Sequence, residues 1–320
     1  MAKQRPRKPK EDKTGRPDRG VEYHQPVMLE EALAGLNVIP NGVYADCTLG
    51  GGGHARAILN KLGPTGRLVL FDQDADARQN VPDDPRVLFI QENFRYLNRF
   101  LRLHQVGKLN GILADLGVSS HQFDTPERGF SFRFDARLDM RMNQRQALTA
   151  AHVLNEYPVQ RLQEIFSIYG EVTNARTLAA AIASERTAVP WQSIRQFLEA
   201  IRPLSKGNPN RYFAQVFQAL RIEVNAEMEA LKEWLMQVPD ALLPGGRVVV
   251  ITFHSIEDRL VKTFFRQGSF QAQSDPVFGT QVQSPFTLLS KKPLQPTPNE
   301  VESNERSRSA RMRIALRNEV

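Results

Sequence analysis

The stretch 43–62 constrains the fold of this chain more than any other. Val43-Tyr44-Ala45-Asp46-Cys47 is a short apolar run of strand type, Thr48 opens a turn that contains the glycines 50–53, and 54–62 carries helical spacing. A strand that passes through a glycine-rich turn into a helix is the opening unit of an α/β fold. The rhythm then repeats. Arg67–Phe71 reads as a strand ending in Asp72, 86–90 as a third, and 111–114 as a fourth ending in Asp115, with helical stretches between them. This alternation predicts an α/β protein with a doubly wound, mostly parallel sheet. Upstream, Leu29–Leu36 has helical character and is followed by a Pro40-Asn41-Gly42 turn signal.

In doubly wound sheets ligands bind beyond the carboxyl ends of the strands, where the crossover direction reverses, so Asp46, Asp72 and Asp115 are expected around one crevice. Glycines 50–53 let the backbone approach a ligand closely, and an acid ending the second strand can accept both hydroxyl hydrogens of a ribose. Two cofactors fit these residues. Gly50, Gly52 and Ala55 also satisfy the dinucleotide pattern, with Asp72 about 20 residues beyond it, which keeps a nicotinamide-dependent oxidoreductase open. Asp46, just before the loop, suits a cofactor with a cationic amino group and points to S-adenosylmethionine. Asp72, with Asp74 and Asp76 close behind, is also compatible with simple helix capping.

A chain of 320 residues accommodates one large domain with an inserted smaller unit. No apolar run approaches the roughly 20 residues that span a bilayer, and the first residues lack the apolar centre of a secretory signal; a cytoplasmic protein is expected. Cys47, the single cysteine, reads as core filler, and six histidines without close pairing give no reason to expect a structural metal. Of the net charge of +7, residues 1–20 carry eight Lys and Arg against three Asp and Glu. With Pro6, Pro9 and Pro17 and little that is apolar, residues 1–22 are expected to form a disordered basic tail, either solubilising or RNA-contacting. The folded chain begins near Tyr23, and 23–121 forms the first part of the core.

Beyond the fourth strand the chain reads Asp115-Leu116-Gly117-Val118-Ser119-Ser120-His121-Gln122-Phe123-Asp124, then Glu127-Arg128-Gly129-Phe130-Ser131-Phe132-Arg133-Phe134 and Leu138-Asp139-Met140-Arg141-Met142. With His24-Gln25-Pro26-Val27-Met28, the loop Thr48-Leu49 through His54, Tyr169-Gly170-Glu171 and Phe253-His254-Ser255-Ile256-Glu257-Asp258-Arg259, these strings closely resemble the MraW (RsmH) family over roughly residues 22–320. The resemblance implies a Rossmann-like class I methyltransferase fold with S-adenosylmethionine as cofactor. It also implies methylation of the N4 amine of a cytidine in the decoding region of small-subunit ribosomal RNA, with the small ribosomal subunit as the expected partner. Carried over residue by residue, the cofactor contacts fall on Gly52, Gly53, His54, Asp72, Phe94, Asp115 and Gln122. His121 stands where the family commonly has proline. Asp115 is the first candidate to accept a hydrogen from the amine, although Leu116-Gly117-Val118 follow it where exocyclic-amine methyltransferases commonly carry Pro-Pro-Tyr or Pro-Pro-Phe, which leaves a cofactor role open. His254 is the second catalytic candidate. The alternative from another class is a ribosome assembly factor that keeps the fold without turnover.

From 122 to 210 helical spacing replaces the strand rhythm, as in Val159, Leu162, Ile165, Phe166 and then Ile194, Leu198, Ile201. A helical insertion domain is expected there, in agreement with the resemblance. Arg133, Arg137 and Arg141, interleaved with Phe130, Phe132 and Phe134, are the candidate RNA contacts, and a solvated, salt-bridged surface over a phenylalanine core is the alternative. The core is expected to resume at 211–320 with a long amphipathic helix carrying Phe213, Val216, Phe217, Leu220, Val224, Met228, Leu231 and Leu235. A fifth strand, 247–253, next to the fourth would bring His254 near Asp115, and 286–289 and 310–317 would supply closing antiparallel strands. The arginines of 304–313 face either RNA or water.

Overall fold

The computed structural model describes residues 26–270 and 283–319; the basic tail and the expected start of order at Tyr23 lie outside them. Among the described residues seven strands form one sheet, β1 (Val43–Asp46), β2 (Arg67–Phe71), β3 (Val87–Ile90), β4 (Leu109–Asp115), β5 (Leu242–Thr252), β6 (Phe286–Leu288) and β7 (Arg311–Arg317), in the order β3-β2-β1-β4-β5-β7-β6. Neighbours from β3 to β5 are parallel, and β7 pairs antiparallel with both β5 and β6. The chain winds outward from β1 to β3 and then returns to place β4 on the other side of β1. The crossover therefore reverses between β1 and β4, where a ligand crevice is expected.

Both faces of the sheet are covered, so its inner strands are almost continuously apolar. Leu68 and Leu70 of β2 and Val249 and Ile251 of β5 pack on one face with α1 (Leu29–Leu36) and α2 (Gly53–Lys61). The alternate residues Val69, Phe71, Val248 and Val250 face the other side. There they meet α3 (Leu97–Leu103), followed in the chain by the short α4 (Ser120–Asp124) at the crevice.

The inserted unit consists of α5 (Ala150–Glu156), α6 (Val159–Ile168), α7 (Ala175–Glu185), α8 (Ile194–Ile201) and α9 (Pro209–Asn225). Thr149, Ser193 and Asn208 cap α5, α8 and α9 by accepting backbone N–H bonds from His152, Gln196 and Asn210. The long helix expected from Phe213 to Leu235 is two helices. Ala226 adopts φ 47°, which ends α9 and starts α10 (Glu227–Ala241). Phe213, Val216, Phe217, Leu220 and Val224 of α9 join the core of the insertion, whereas Leu231, Trp234, Leu235 and Val238 of α10 pack on the sheet with α11 (Ser255–Gln267). The apolar cluster of the helices includes residues up to Val224, because the apolar stripe changes partners at the break. A last short helix, α12 (Pro298–Ser303), precedes β7, and its Glu300 accepts from the Met28 backbone N–H at 2.7 Å.

Candidate active site

A cavity of about 620 Å³ opens at the carboxyl ends of β1, β2, β4 and β5. Gly50, Gly51, Gly52, Gly53 and His54 form one wall, Asp72 and Phe94 a second, Asp115 to Gln122 a third, and Phe253, Glu257, Asn304 and Arg306 close the far side. Every residue expected to touch the cofactor therefore lines a single space.

The glycine loop is held from below. The Gly50 N–H donates to Asp72 Oδ2 at 2.8 Å, and Asp72 Oδ1 accepts from the Asp74 N–H at 2.9 Å. Each carboxylate oxygen keeps a further lone pair for a ligand hydroxyl. Gly52 is required by its backbone, since φ is 73° and an added Cβ would lie 2.8 Å from the Asn80 carbonyl oxygen. Phe94 sits in a 3₁₀ turn, half-buried, with its ring edge-on to Trp234 at 5.8 Å. Gln122 donates to Asp74 Oδ2 at 2.6 Å while its carbonyl oxygen accepts from the Ser119 N–H, completing a capping box at the start of α4. His121, the departure from the family pattern, lies within α4 with Nε2 3.4 Å from Asp76, and the cap forms around it.

The three strand-end carboxylates are not equivalent. Asp72 and Asp115 line the cavity. Asp46 is instead buried beneath the loop, where Oδ1 accepts from the Thr48 N–H at 3.0 Å and Oδ2 has no partner among the described residues. Burial pushes Asp46 up to about 7 and Asp72 up to about 6, and burial together with the Asp46 charge raises Asp115 well above the usual carboxylate range. His54 Nε2 donates to the Val27 carbonyl oxygen at 3.0 Å, which leaves Nδ1 as an acceptor 3.8 Å from Asp115 Oδ2. Burial lowers His54 to about 4 and keeps it neutral. Cys47 is buried, and burial pushes its thiol up, as suits core filler.

These shifts give a stability prediction. A carboxyl whose folded pKa lies above its unfolded value adds stability at low pH and loses it as pH rises through the folded value. The ligand-free protein is therefore expected to lose stability between about pH 4 and 7, from the unfolded carboxyl value up to the folded value of Asp46, with Asp46 contributing at most about 1.4 kcal/mol per pH unit. Asp46→Asn keeps the acceptor for Thr48 and should flatten this decline, measured by denaturant unfolding at several pH values. An unchanged slope would show that Asp46 is ionised throughout.

His254, expected at the rim near Asp115, does not line the large cavity. Its side chain caps α11: Nδ1 accepts from the Glu257 N–H at 3.4 Å, and Nε2 lies 3.1 Å from Glu257 Oε1. Phe253 and Glu257, from the same family string, take its place in the cavity wall; within that string nothing in residue type marks them over His254. Glu257 Oε2 accepts from the Phe253 N–H at 2.9 Å and holds the end of β5.

The candidate RNA arginines also separate. Arg133 and Arg137 are exposed, and Arg133 lies over the Phe123 ring at 5.8 Å. Arg141 grips Asp139 through Nε and Nη2, both at 2.8 Å, and donates to the Gln144 and Gln146 carbonyls. It braces its own loop. Phe130 is buried and Phe132 packs edge-on against Phe213 and Phe217, so only Phe134 of the three offers an exposed ring.

The profile of the MraW methylase family matches residues 22–318. The protein named "Ribosomal RNA small subunit methyltransferase H" of Bacteroides fragilis strain YCH46 is 53% identical over 294 residues, 92% of this chain and 97% of that one. The protein of the same name from Parabacteroides distasonis is 53% identical over 295 residues, with the same coverage of 92% and 97%. Among solved structures, Aeropyrum pernix fibrillarin with natively bound S-adenosyl-L-methionine aligns over 92% of this chain and 75% of that chain, at 13% identity and a TM-score of 0.39.

Proposed function

This chain belongs to the MraW methylase family, and from that premise we propose that it transfers a methyl group from S-adenosylmethionine to the N4 amine of a cytidine in the decoding region of small-subunit ribosomal RNA. The observation that carries the reading is the cavity itself, in which the family's glycine loop, Asp72, Phe94, Asp115 and Gln122 meet at the crossover reversal. Membership sets aside the nicotinamide alternative that the glycine pattern alone leaves open.

The residues suit the cofactor. Asp72 retains acceptor capacity for two ribose hydroxyls, Phe94 offers an aromatic surface for the adenine, and the acidic floor of Asp46, Asp72 and Asp115 favours a cationic ligand. Bound S-adenosylmethionine supplies an electrophilic methyl group on a sulfonium. The protein's part is mainly positioning, since in-line displacement requires the reacting atoms about 3 to 3.5 Å apart and aligned. The cytosine N4 lone pair is delocalised into the ring. Asp115 accepts one amine hydrogen and so favours the pyramidal, nucleophilic nitrogen, then takes the proton released after transfer. Neutral His54 faces Asp115 with a free acceptor and stabilises its protonated form. Arg133 and Arg137 contribute phosphate contacts from the insertion.

Asp72→Ala is expected to weaken S-adenosylmethionine binding by about 100-fold, because hydrogen bonds to charged groups contribute roughly 1.5–3 kcal/mol each and the Gly50 anchor is lost as well. Calorimetry returning wild-type affinity would remove Asp72 from the site. The reaction itself is tested by incubating the protein with methyl-labelled S-adenosylmethionine and unmodified small subunits, then digesting the RNA to nucleosides for mass spectrometry. Label in N4-methylcytidine is the expected result. Label in another nucleoside would overturn the target, and no label despite cofactor binding would favour a non-catalytic assembly role.

A further inference from the structure

Four arginines crowd the segment 304–313, and the fold gives them different partners. Arg313 is buried and locked on Asp258 by two bonds, 2.6 and 3.0 Å. Arg306 pairs with Asp124 and lies over the Phe123 ring at 5.2 Å. Arg308 and Arg311 are held far more loosely. Arg308 has a side chain 69% exposed and only a 3.5 Å approach to Glu305, itself 76% exposed, which is a weak surface pair. Arg311 approaches Asp258 at 3.5 Å, on a carboxylate whose two oxygens Arg313 already engages.

These two guanidinium groups line a second cavity, of about 160 Å³, together with His254, Ser255 and Gln295. Among the described residues no carboxylate lines it. The acids around it already have partners: Glu171 accepts from Ser255 Oγ at 3.0 Å, Glu257 accepts from the Phe253 N–H, and Asp258 is held by Arg313. Phe253 borders both cavities, so the small basic one lies immediately beside the large one at the end of β5.

Resting on the RNA methyl-transfer reading above, we propose that Arg308 and Arg311 hold a phosphodiester of the substrate strand next to the nucleotide being methylated. Two guanidinium groups present planar forks that match phosphate oxygens. The amide of Gln295 adds a neutral donor beside the anion. With the backbone fixed on one side of Phe253, the target base is directed to the other side, into the large cavity.

The test uses the full chain as wild type, Arg308→Gln, the double variant Arg308→Gln/Arg311→Gln, and Arg195→Gln as a control in an exposed arginine of the insertion. Affinity for a small-subunit RNA fragment is measured across a salt series, and S-adenosylmethionine affinity is measured alongside. The double variant should bind RNA about tenfold or more weakly with a salt slope shallower by about 1, with cofactor affinity unchanged. Arg308→Gln leaves β7 intact and should show part of the same change. Fragments carrying a neutral methylphosphonate at single linkages should lose affinity for wild type at a linkage flanking the target, and lose little further for the double variant. Equal affinity in wild type and variants, an unchanged salt slope, or full linkage sensitivity in the double variant would each overturn the proposal. Wild type that methylates subunits alongside equal RNA binding by the variants refutes this site alone, whereas wild type with no methyl transfer to RNA takes the underlying reading down with it.

Discussion

Asp115→Asn is expected to slow methyl transfer by about 10² to 10⁴, the range typical of a lost general base, while S-adenosylmethionine affinity changes by only a few fold. The amide preserves the size of the side chain and one carbonyl acceptor, but it cannot take a proton. Single-turnover transfer to small subunits under saturating cofactor isolates the step. The wild-type rate should fall as pH drops, because burial raises the Asp115 pKa and the protonated carboxyl is no acceptor; in the Asn variant this limb should vanish. A variant that keeps both the rate and the pH limb would leave Asp115 a cofactor ligand only. That outcome would fit the Leu116-Gly117-Val118 sequence that follows it.

Arg128→Ala is expected to destabilise the protein by about 3–5 kcal/mol, the cost of stripping one partner from a buried ion pair. Arg128 and Asp74 have side chains only 7% and 4% exposed and approach to 2.8 Å. The same guanidinium reaches Asp76 at 2.8 Å and donates to the backbone carbonyls of Arg141 and Met142. It therefore joins the segment after β2 to the loop that enters the insertion. Asp74 also accepts from Gln122, so losing Arg128 should weaken cofactor binding as well. Denaturant unfolding measures the effect. Pairing Arg128→Met with Asp74→Asn removes both charges and should recover much of the loss; a double variant as unstable as the alanine variant would show that the packing, not the uncompensated carboxylate, is what matters.

Much of this architecture is legible in the residues because its periodicities are local. The strand, glycine turn and helix of 43–62, the acids ending β2 and β4, and the first helix at Leu29–Leu36 all form where short-range patterning puts them. Other features depend on partners that no local pattern names. The apolar stripe from Phe213 to Leu235 continues at helical spacing through Ala226, and an alanine with positive φ carries no breaker signal. Asn225, beside it, is buried with its amide between the Met140 carbonyl and the Met142 N–H, contacts made across more than eighty residues of chain. Charge is equally silent about assignment. Arg128, Arg133, Arg137 and Arg141 look alike in sequence, yet one is a buried clamp, two are exposed and one braces its own loop. His254 and His54 each precede or open a helix. Only the neighbouring strands decide that His54 meets Asp115 while His254 caps α11.

The placement of the helical insertion between β4 and β5 has a kinetic consequence. Asp115 pairs with Ile251 in the centre of the sheet, but the whole insertion and α10 separate them along the chain. Closing so long a loop costs entropy before any strand contact rewards it. Helix α5 through α9 share their own apolar core, so their early collapse would shorten the effective loop and deliver β5 to β4. The slow phase of refolding should accordingly track the integrity of the insertion, and the crevice can exist only after the last-made part of the sheet has closed beside it.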